Sequence, residues 1–584
     1  MKLVTSSIRA GHLRALKRLA SNPFIDKPIR ILLINAVKEG HYAVGAPLGI
    51  SSLGHNLQKR FGNRVSLDLI DTGRVSLGEA SKLIRENQYD IIGISANVGA
   101  LEEVEKLIAH AQNNPEQTII LGNILATFEY EHFLEKYPDI LIVRGEGEEA
   151  LIGLVNMAFS GADELKSIPN LAFAHDGEIF FTARRRADLG QLSPPRSGLF
   201  PPKQIVSPLA QAFLETGRGC KYDVCTFCNR GAFYGGKRRD ARGFAIPDVT
   251  ETIAFYSARG VRRLNLVDED FFADTGRLKS FIAAVRKLKR QGSIADDFKF
   301  SAAIKPSDAR EENRQLLIEL AEIGFRWFFL GAESGSDAQL KRYMKGISAE
   351  ELRQGLDLIQ EIGLAIESGF IMIDPYMTPG ELRENIQFLE ATQLYRYAHP
   401  VHVYRAQRGS RLLRQLEKGG LLIPNTENRN WQTQDYRFKD ETIALVAAAT
   451  KEVENKTVTF GGRLGMAYRE YLDSPDNPYA EDLHWFRHFL LETLVLFLDH
   501  FELQQVTPEK VGAHFAKLDT FLSSLYQKLT RQQLADYKEL LFHVTTFRAA
   551  DGATQIKDWA TRVITEQGKF KEQVLSQGGK IGRI

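Results

Sequence analysis

The sequence predicts an α/β protein in three parts: a doubly wound parallel sheet over residues 29–165, a partial or full α/β barrel over 209–425, and a helical C-terminal region over 426–584. Three observations predict it. Short branched apolar runs alternate with helical patterns in two successive series, a Pro-rich stretch separates the series, and strands become scarce after about Pro424.

The elements follow in order. Residues 1–28 form a basic, partly amphipathic extension without the continuous apolar segment of a secretory signal. Ile29–Ala36 (IRILLINA) is nearly all apolar, as suits a parallel strand covered on both faces. Similar runs recur at Ser66–Ile70, Ile91–Ser95, Thr118–Leu121 and Ile140–Val143, between helical patterns such as Leu48–Phe61 and Leu101–Asn113. Residues 166–208 read as a linker, with a hairpin over Asn170–Thr182 turning at Asp176-Gly177 and prolines at Pro194, Pro195, Pro201 and Pro202. The second series runs Ala212–Thr216, Arg263–Val267, Phe298–Ala303, Trp327–Leu330, Glu367–Ile373 and Val401–Arg405. Helical periodicity dominates from Glu441, and Trp485–Phe501, apolar nearly all round, predicts a buried helix in a small bundle.

Composition narrows the function. With 75 basic against 73 acidic residues the net charge is +2, so no excess positive field exists to hold a phosphate backbone. The longest apolar run, Leu490–Leu498, falls well short of the roughly 20 residues of a membrane span. Nucleic-acid and membrane partners are therefore not expected. The expected compartment is the cytoplasm, where thiols stay reduced.

All three cysteines of the 584-residue chain lie in Cys220-Lys-Tyr-Asp-Val-Cys225-Thr-Phe-Cys228. Soft thiolates select zinc or iron–sulfur clusters, and both usually take four protein ligands. A four-iron cluster on three thiolates keeps one iron open. The zinc alternative requires a histidine, and none occurs between His175 and His399. An odd cysteine count in a reducing compartment argues against a disulfide.

Doubly wound sheets bind ligands beyond the carboxyl ends of their strands. There the sequence offers Gly45-Ala-Pro47-Leu48-Gly49, Ser95-Ala-Asn97, Gly122-Asn123 and Arg144-Gly145-Glu146-Gly147-Glu148, small or polar residues that let a bulky cofactor approach the backbone.

At the cysteines the sequence resembles the radical S-adenosylmethionine (SAM) superfamily, whose cluster loop follows the first barrel strand and carries an aromatic, here Phe227, before the last cysteine. The usual loop has three residues between its first two cysteines, whereas this one has four. The resemblance implies a [4Fe–4S] cluster on Cys220, Cys225 and Cys228. It also implies SAM contacts at Phe227, at Asp268 and Glu269 toward the methionyl ammonium, and at Ser301, Glu333 and Ser334 toward its carboxylate and ribose.

The N-terminal part resembles the cobalamin-binding domain of the B12-dependent radical SAM class, and the two resemblances together span roughly residues 29–425. The implied cobalamin contacts are Pro47, Leu48, Gly49, Ser95, Asn97, Gly122, Asn123, Arg144, Gly145, Glu146 and Gly147. No Asp-x-His-x-x-Gly loop is present, so no histidine is named as a cobalt ligand.

The implied activity is a B12-dependent radical SAM methyltransferase acting on an unactivated carbon of a natural-product intermediate or a peptide. Methylcobalamin would donate the methyl group, and a flavodoxin or ferredoxin would supply electrons. The alternative is a rearrangement, ring contraction or oxidative cyclisation without methyl transfer. A tRNA methylthiotransferase predicts extra cluster cysteines and a basic RNA module that the sequence lacks, while a B12-dependent sensor predicts no SAM cleavage.

Overall fold

The computed structural model describes residues 2–3, 27–38, 46–160, 165–200, 211–236, 239–428, 433–472, 474, 476–532 and 538–576. Most of the predicted N-terminal extension, Gly45, Pro201 and Pro202 lie outside the described residues. The chain divides into two compact units, residues 1–303 with 407–411 and 427–433, and residues 304–406 with 412–426 and 434–584.

The first unit opens with an eight-stranded sheet. Its strands are β1 (Lys2–Leu3), β2 (Ile29–Ala36), β3 (Val65–Asp71), β4 (Ile91–Ala96), β5 (Thr118–Gly122), β6 (Leu141–Val143), β7 (Leu171–His175) and β8 (Glu178–Phe181), in the spatial order β1-β8-β7-β6-β5-β4-β2-β3. From β3 to β6 neighbouring strands are parallel, as the all-apolar strand sequences predict. The chain passes from β2 outward to β3, then crosses back to β4 on the other side of β2. The carboxyl ends of β2 and β4 therefore flank a topological switch point, where such sheets place their ligands.

Helices α1 (Leu48–Phe61), α2 (Leu77–Glu86), α3 (Leu101–Gln112) and α4 (Glu148–Ser160) belong to this sheet domain. α2 starts at a full capping box between Ser76 and Glu79. Leu32, Ile34, Ile92, Ile94, Leu107 and Leu121 share one core cluster. The hairpin expected inside a linker is present but belongs to the sheet, because β7 pairs antiparallel with β6 through Leu141↔Phe173 and buries Leu171, Ala172 and Phe173.

A second parallel set starts within the same unit. Strand β9 (Gln211–Leu214) leads to a short antiparallel pair, β10 (Gly217–Arg218) with β11 (Arg242–Gly243). Strand β12 (Arg263–Leu266) lies between β9 and β13 (Lys299–Ile304), parallel to both. Helices α5 (Ile246–Ser257) and α6 (Thr275–Arg290) make the crossovers.

In the second unit, β14 (Phe325–Glu333) and β15 (Ala365–Phe370) pair in parallel with a register shift between Gly331 and Glu333. Helices α7 (Arg314–Ile323), α8 (Ala349–Glu361) and α9 (Pro379–Thr392) complete the βα units. The strand expected at Val401–Arg405 is not a regular strand. One isolated parallel bridge, Ile373↔Val403, joins this stretch to the chain beyond β15, and a second, Ser368↔Ala398, joins β15 to the residues just before that stretch. The backbone amides of Met372 and Ile373 both donate to the His402 carbonyl, at 2.9 and 3.3 Å, which breaks the ladder spacing.

Short strands persist past Pro424, at Leu422–Asn428 and Thr433–Tyr436, before the helical region begins. Its first two long helices, α10 (Glu441–Glu470) and α11 (Ala480–Leu503), pack together, and α11 buries Phe486, Phe489, Leu490, Leu494 and Phe497 as predicted.

Candidate functional site

The cysteine loop follows β9 through Thr216-Gly217-Arg218-Gly219. Gly219 has φ +86, and a Cβ there would lie 1.9 Å from the Asp240 carbonyl oxygen, so only glycine lets the loop pass so close to the backbone that faces it. Cys220, Cys225 and Cys228 form no disulfide among the described residues and are of intermediate exposure, and Phe227 between the last two is half-buried. The Asp223 amide donates to the Cys220 sulfur at 3.5 Å, and the Cys228 amide to the Cys225 carbonyl at 3.4 Å. Among the described residues no three His, Cys, Asp or Glu side chains close around a single metal ion.

The acidic triplet after β12 holds this loop from behind. Asp268 accepts from the Thr216 amide at 2.7 Å and the Thr216 hydroxyl at 2.5 Å. Glu269 accepts from the Gly219 amide at 2.9 Å and the Tyr234 phenol at 2.8 Å. Asp270 accepts from the Lys221 amide at 3.0 Å and stands 3.6 Å from the Cys220 sulfur. Burial pushes Asp268 up to about 6 against the pull of the Thr216 bonds.

The sequence reading directed Asp268 and Glu269 at the SAM ammonium. In the structure both carboxylates accept from backbone amides of the cluster loop. Asp270, the third acid of the same strand end, has the same role toward the Lys221 amide. The available signal was the pairing of three consecutive acids with a glycine-rich loop whose amides need acceptors.

Arg218, two residues before Cys220, is buried among carboxylates. It reaches Glu146 at 2.9 Å, Glu148 at 2.7 Å and Glu215 at 2.9 Å. Arg242 adds a second guanidinium, 3.0 Å from Glu146. Burial alone would raise the Glu148 carboxyl, but the Arg218 charge and the Ser52 hydroxyl, 2.6 Å away, bring it down to about 2. At Glu215 burial wins over Arg218, and its carboxyl rises to about 7. The Glu146 carboxylate, expected at cobalamin, therefore joins the β6–α4 turn to the cluster loop, and its carbonyl accepts from Asn170 at 3.0 Å.

The remaining expected cobalamin residues gather at the carboxyl ends of β4, β5 and β6 and at the start of α1. An amide relay crosses four strand ends: Asn123 donates to Asn97 at 3.0 Å, Asn97 to Asn35 at 2.7 Å, and Asn35 to Asp71 at 2.9 Å. Asn123 also donates to Ser95 at 3.0 Å. A Cβ on Gly122 would meet nothing within 4 Å, and one on exposed Gly49 would find only Ser95, 4.0 Å away. The Pro47 carbonyl starts α1 by accepting from the Ser51 amide and hydroxyl, with Leu48 half-exposed beside it. The Gly145 amide donates to Thr127 at 2.8 Å, and Gly147 approaches Leu53. Arg144 lies between the Tyr130 and Phe181 rings, at 4.3 and 4.9 Å, a cation–π position that its neighbours already fill.

Ser301 on β13 donates to Asn265 on β12 at 2.6 Å, inside the parallel set. In the second unit, Glu333 ends β14 at φ +69 and pairs with Lys345 at 3.2 Å. The Ser334 hydroxyl is buried in a network with Gln339 at 2.6 Å and Asn385 at 2.9 Å, so it braces its own turn.

Two family models match the chain: the B12 binding domain over residues 42–155 and the radical SAM superfamily over residues 214–389. The chain therefore carries the two domains of cobalamin-dependent radical SAM enzymes, in that order. It is 29% identical over 371 residues to 4′-phospho-dehydrooxetanocin synthase of Priestia megaterium, a match covering 59% of this chain and 48% of that protein. It is 28% identical over 310 residues to the anaerobic magnesium-protoporphyrin IX monomethyl ester cyclase of Cereibacter sphaeroides, covering 52% and 49% respectively. The chain thus spans about half the length of these two relatives.

The fold matches the cobalamin-dependent SAM radical enzyme OxsB with aqua-cobalamin and SAM bound, at TM-score 0.75 and 19% identity over 91% of this chain and 84% of that one. It also matches the methyltransferase TsrM of Kitasatospora setae, at TM-score 0.56 and 17% identity over 68% of this chain and 79% of that one.

These two domains imply three cofactors: a [4Fe–4S] cluster, SAM and cobalamin. The residues fit them. The loop offers three soft sulfurs and no imidazole, the donor set of a cluster with one open iron. The strand ends offer an open glycine floor at Gly122 beside the amide relay, where a flat macrocycle can lie. Among the described residues no helix is long and apolar enough to cross a membrane.

Proposed function

We propose that the chain is a B12-dependent radical SAM enzyme that removes hydrogen from an unactivated carbon, with Cys220, Cys225 and Cys228 as the cluster ligands. The observation that carries this reading is the acidic triplet, whose three carboxylates fix the backbone of the loop that holds all three cysteines. When bound, the cluster and SAM supply a primary carbon radical, and cobalamin supplies the second reactive centre.

The protein's own residues do the positioning. Asp268, Glu269 and Asp270 hold the loop so that its sulfurs need little reorganisation to take iron. In this reading Phe227 and Glu333 contact SAM, while Asp268 and Glu269 act on it only through the loop. Gly49, Gly122 and the amides of Asn97 and Asn123 receive cobalamin. A flavodoxin or ferredoxin supplies the electron, and the substrate is a natural-product intermediate or a peptide.

The outcome best supported is a rearrangement, ring contraction or oxidative cyclisation, because the relatives at 28–29% identity are named a dehydrooxetanocin synthase and a cyclase. Methyl transfer, the outcome expected from sequence, is the second reading. It is supported by a relative from Pyrococcus horikoshii described as an uncharacterized methyltransferase, 25% identical over 373 residues and matched over 78% of its length.

Anaerobic reconstitution followed by a SAM-cleavage assay tests the shared reading, with 5′-deoxyadenosine expected from the wild type and none from Cys225→Ala. A wild-type chain that loads iron yet leaves SAM intact would overturn it. Product mass then separates the outcomes. A gain of one methylene with S-adenosylhomocysteine means methyl transfer, and an unmethylated product without it means rearrangement or oxidation.

A further inference from the structure

Beyond β15 the second unit gathers a set of cationic and imidazole groups that no cofactor role uses. The Glu333 carbonyl accepts from the Ile371 amide at 2.7 Å, and the His402 carbonyl from the next amide, Met372, at 2.9 Å. The stretch His399–Arg405 thus flanks the carboxyl end of β15 opposite Glu333, on the side where α/β folds bind ligands.

Helix α10 brings Lys451 and Glu454 to this stretch, and α11 brings Arg487. His399 stands 3.5 Å from Glu454, which also accepts from Lys451. Arg405, Lys451 and Arg487 all act electrostatically on His399, and Arg405, Lys451 and Glu454 on His402. Three cations therefore surround the two imidazoles, with Glu454 beside His399 and Lys451 and Glu367 beside Arg487.

The His399 side chain is 46% exposed, yet burial and the three cations drive its imidazole down to about 3. The imidazole is thus reachable from solvent beside Glu454. His402 is driven down to about 3 by burial, with Arg405, His399 and Lys451 adding to it. Arg405 is exposed and makes no side-chain ion pair or hydrogen bond among the described residues.

We propose that this cluster binds an oxyanion of the substrate, a phosphate or a carboxylate, through Arg405, His402 and Lys451. An oxyanion supplies the negative charge that the three cations lack, and a guanidinium presents a planar fork matched to it. A neutral imidazole adds one N–H donor without requiring a second desolvated charge. This names the substrate class for the enzyme proposed above and rests on that reading.

The test is calorimetry on the full chain, reconstituted anaerobically with cluster and cobalamin, titrated at constant ionic strength with inorganic phosphate and separately with acetate. Saturable one-to-one binding is expected, weakened at least tenfold in Arg405→Gln and in His402→Gln with near-UV circular dichroism unchanged. Tighter phosphate binding assigns a phosphoryl group, and tighter acetate binding a carboxylate. In ring-labelled protein, two histidine resonances that do not titrate above pH 5 should acquire a higher titration midpoint when the anion is bound.

Absence of saturable binding by either anion, or binding undiminished in both variants, overturns the proposal. So does displacement of the anion by SAM, which would identify the methionyl carboxylate as the occupant. SAM cleavage in the same preparation keeps the two readings apart. Cleavage without anion binding removes only the substrate class, and anion binding without cleavage removes only the enzyme activity.

Discussion

Asp270 and Cys220 are coupled at the entrance to the cluster loop, with the Asp270 carboxylate accepting the Lys221 amide at 3.0 Å while it stands 3.6 Å from the Cys220 sulfur. One oxygen therefore fixes the loop and sets the charge beside a cluster ligand. Asp270→Ala removes both effects and should cut iron bound after anaerobic reconstitution to below half of wild type. Asp270→Asn keeps an oxygen acceptor for the Lys221 amide and should retain most of the iron, with a raised cluster potential because a nearby negative charge is gone. Iron assay and potentiometric spectroscopy measure both, and equal iron content in the Ala variant and wild type contradicts the role.

The buried guanidinium of Arg218 answers three carboxylates, so removing it leaves charges in the interior without a partner. Arg218→Met should cost about 3–5 kcal/mol of stability, the usual penalty for breaking a buried pair from one side. Glu148→Gln should cost less, because Glu146 and Glu215 still face the arginine. A double-mutant cycle on chemical denaturation resolves the Glu148–Arg218 coupling. Additive losses from the two changes would show that the 2.7 Å contact carries no energy of its own.

Glu215 and Glu148 give opposite pH signatures. With its folded carboxyl raised to about 7, Glu215 binds a proton in the native chain that the unfolded chain releases near pH 4.3, so its contribution to stability falls as pH rises toward 7. With its carboxyl lowered to about 2, Glu148 contributes stability that is complete above the unfolded range and lost as pH falls toward 2. Glu215→Gln should therefore remove part of the loss in Tm between pH 5 and pH 8, by a few degrees in calorimetry. An unchanged difference between the two pH values would rule out a titrating Glu215 in that window.

Much of this was legible in the sequence for reasons that are local. Strands such as Ile29–Ala36 and Ile91–Ala96 announce themselves because both faces are buried, and the three cysteines stand out because no others exist. What the sequence could not show is which partner a polar side chain finds across the fold. Arg218 and Glu146 are 72 residues apart, and Asp268 and Thr216 are 52, so these pairings follow from tertiary closure and not from spacing. The expected strand at Val401–Arg405 failed for a related reason. Its apolar alternation fits a strand, but two consecutive amides converge on the His402 carbonyl and only isolated bridges form.

The space above Gly122 supplies the most direct test of where cobalamin lies. Gly122 has φ −144 and ψ −170, an extended backbone that any residue adopts, and a Cβ added there would meet no atom within 4 Å. A side chain added there therefore starts into open space, the space assigned to the macrocycle. Gly122→Phe should leave thermal stability and cluster loading close to wild type while weakening cobalamin binding at least tenfold, read by absorbance titration of the reconstituted protein. Cobalamin binding at wild-type affinity in that variant would move the cofactor away from the β5 strand end, and with it the role given to the Asn97 and Asn123 amides.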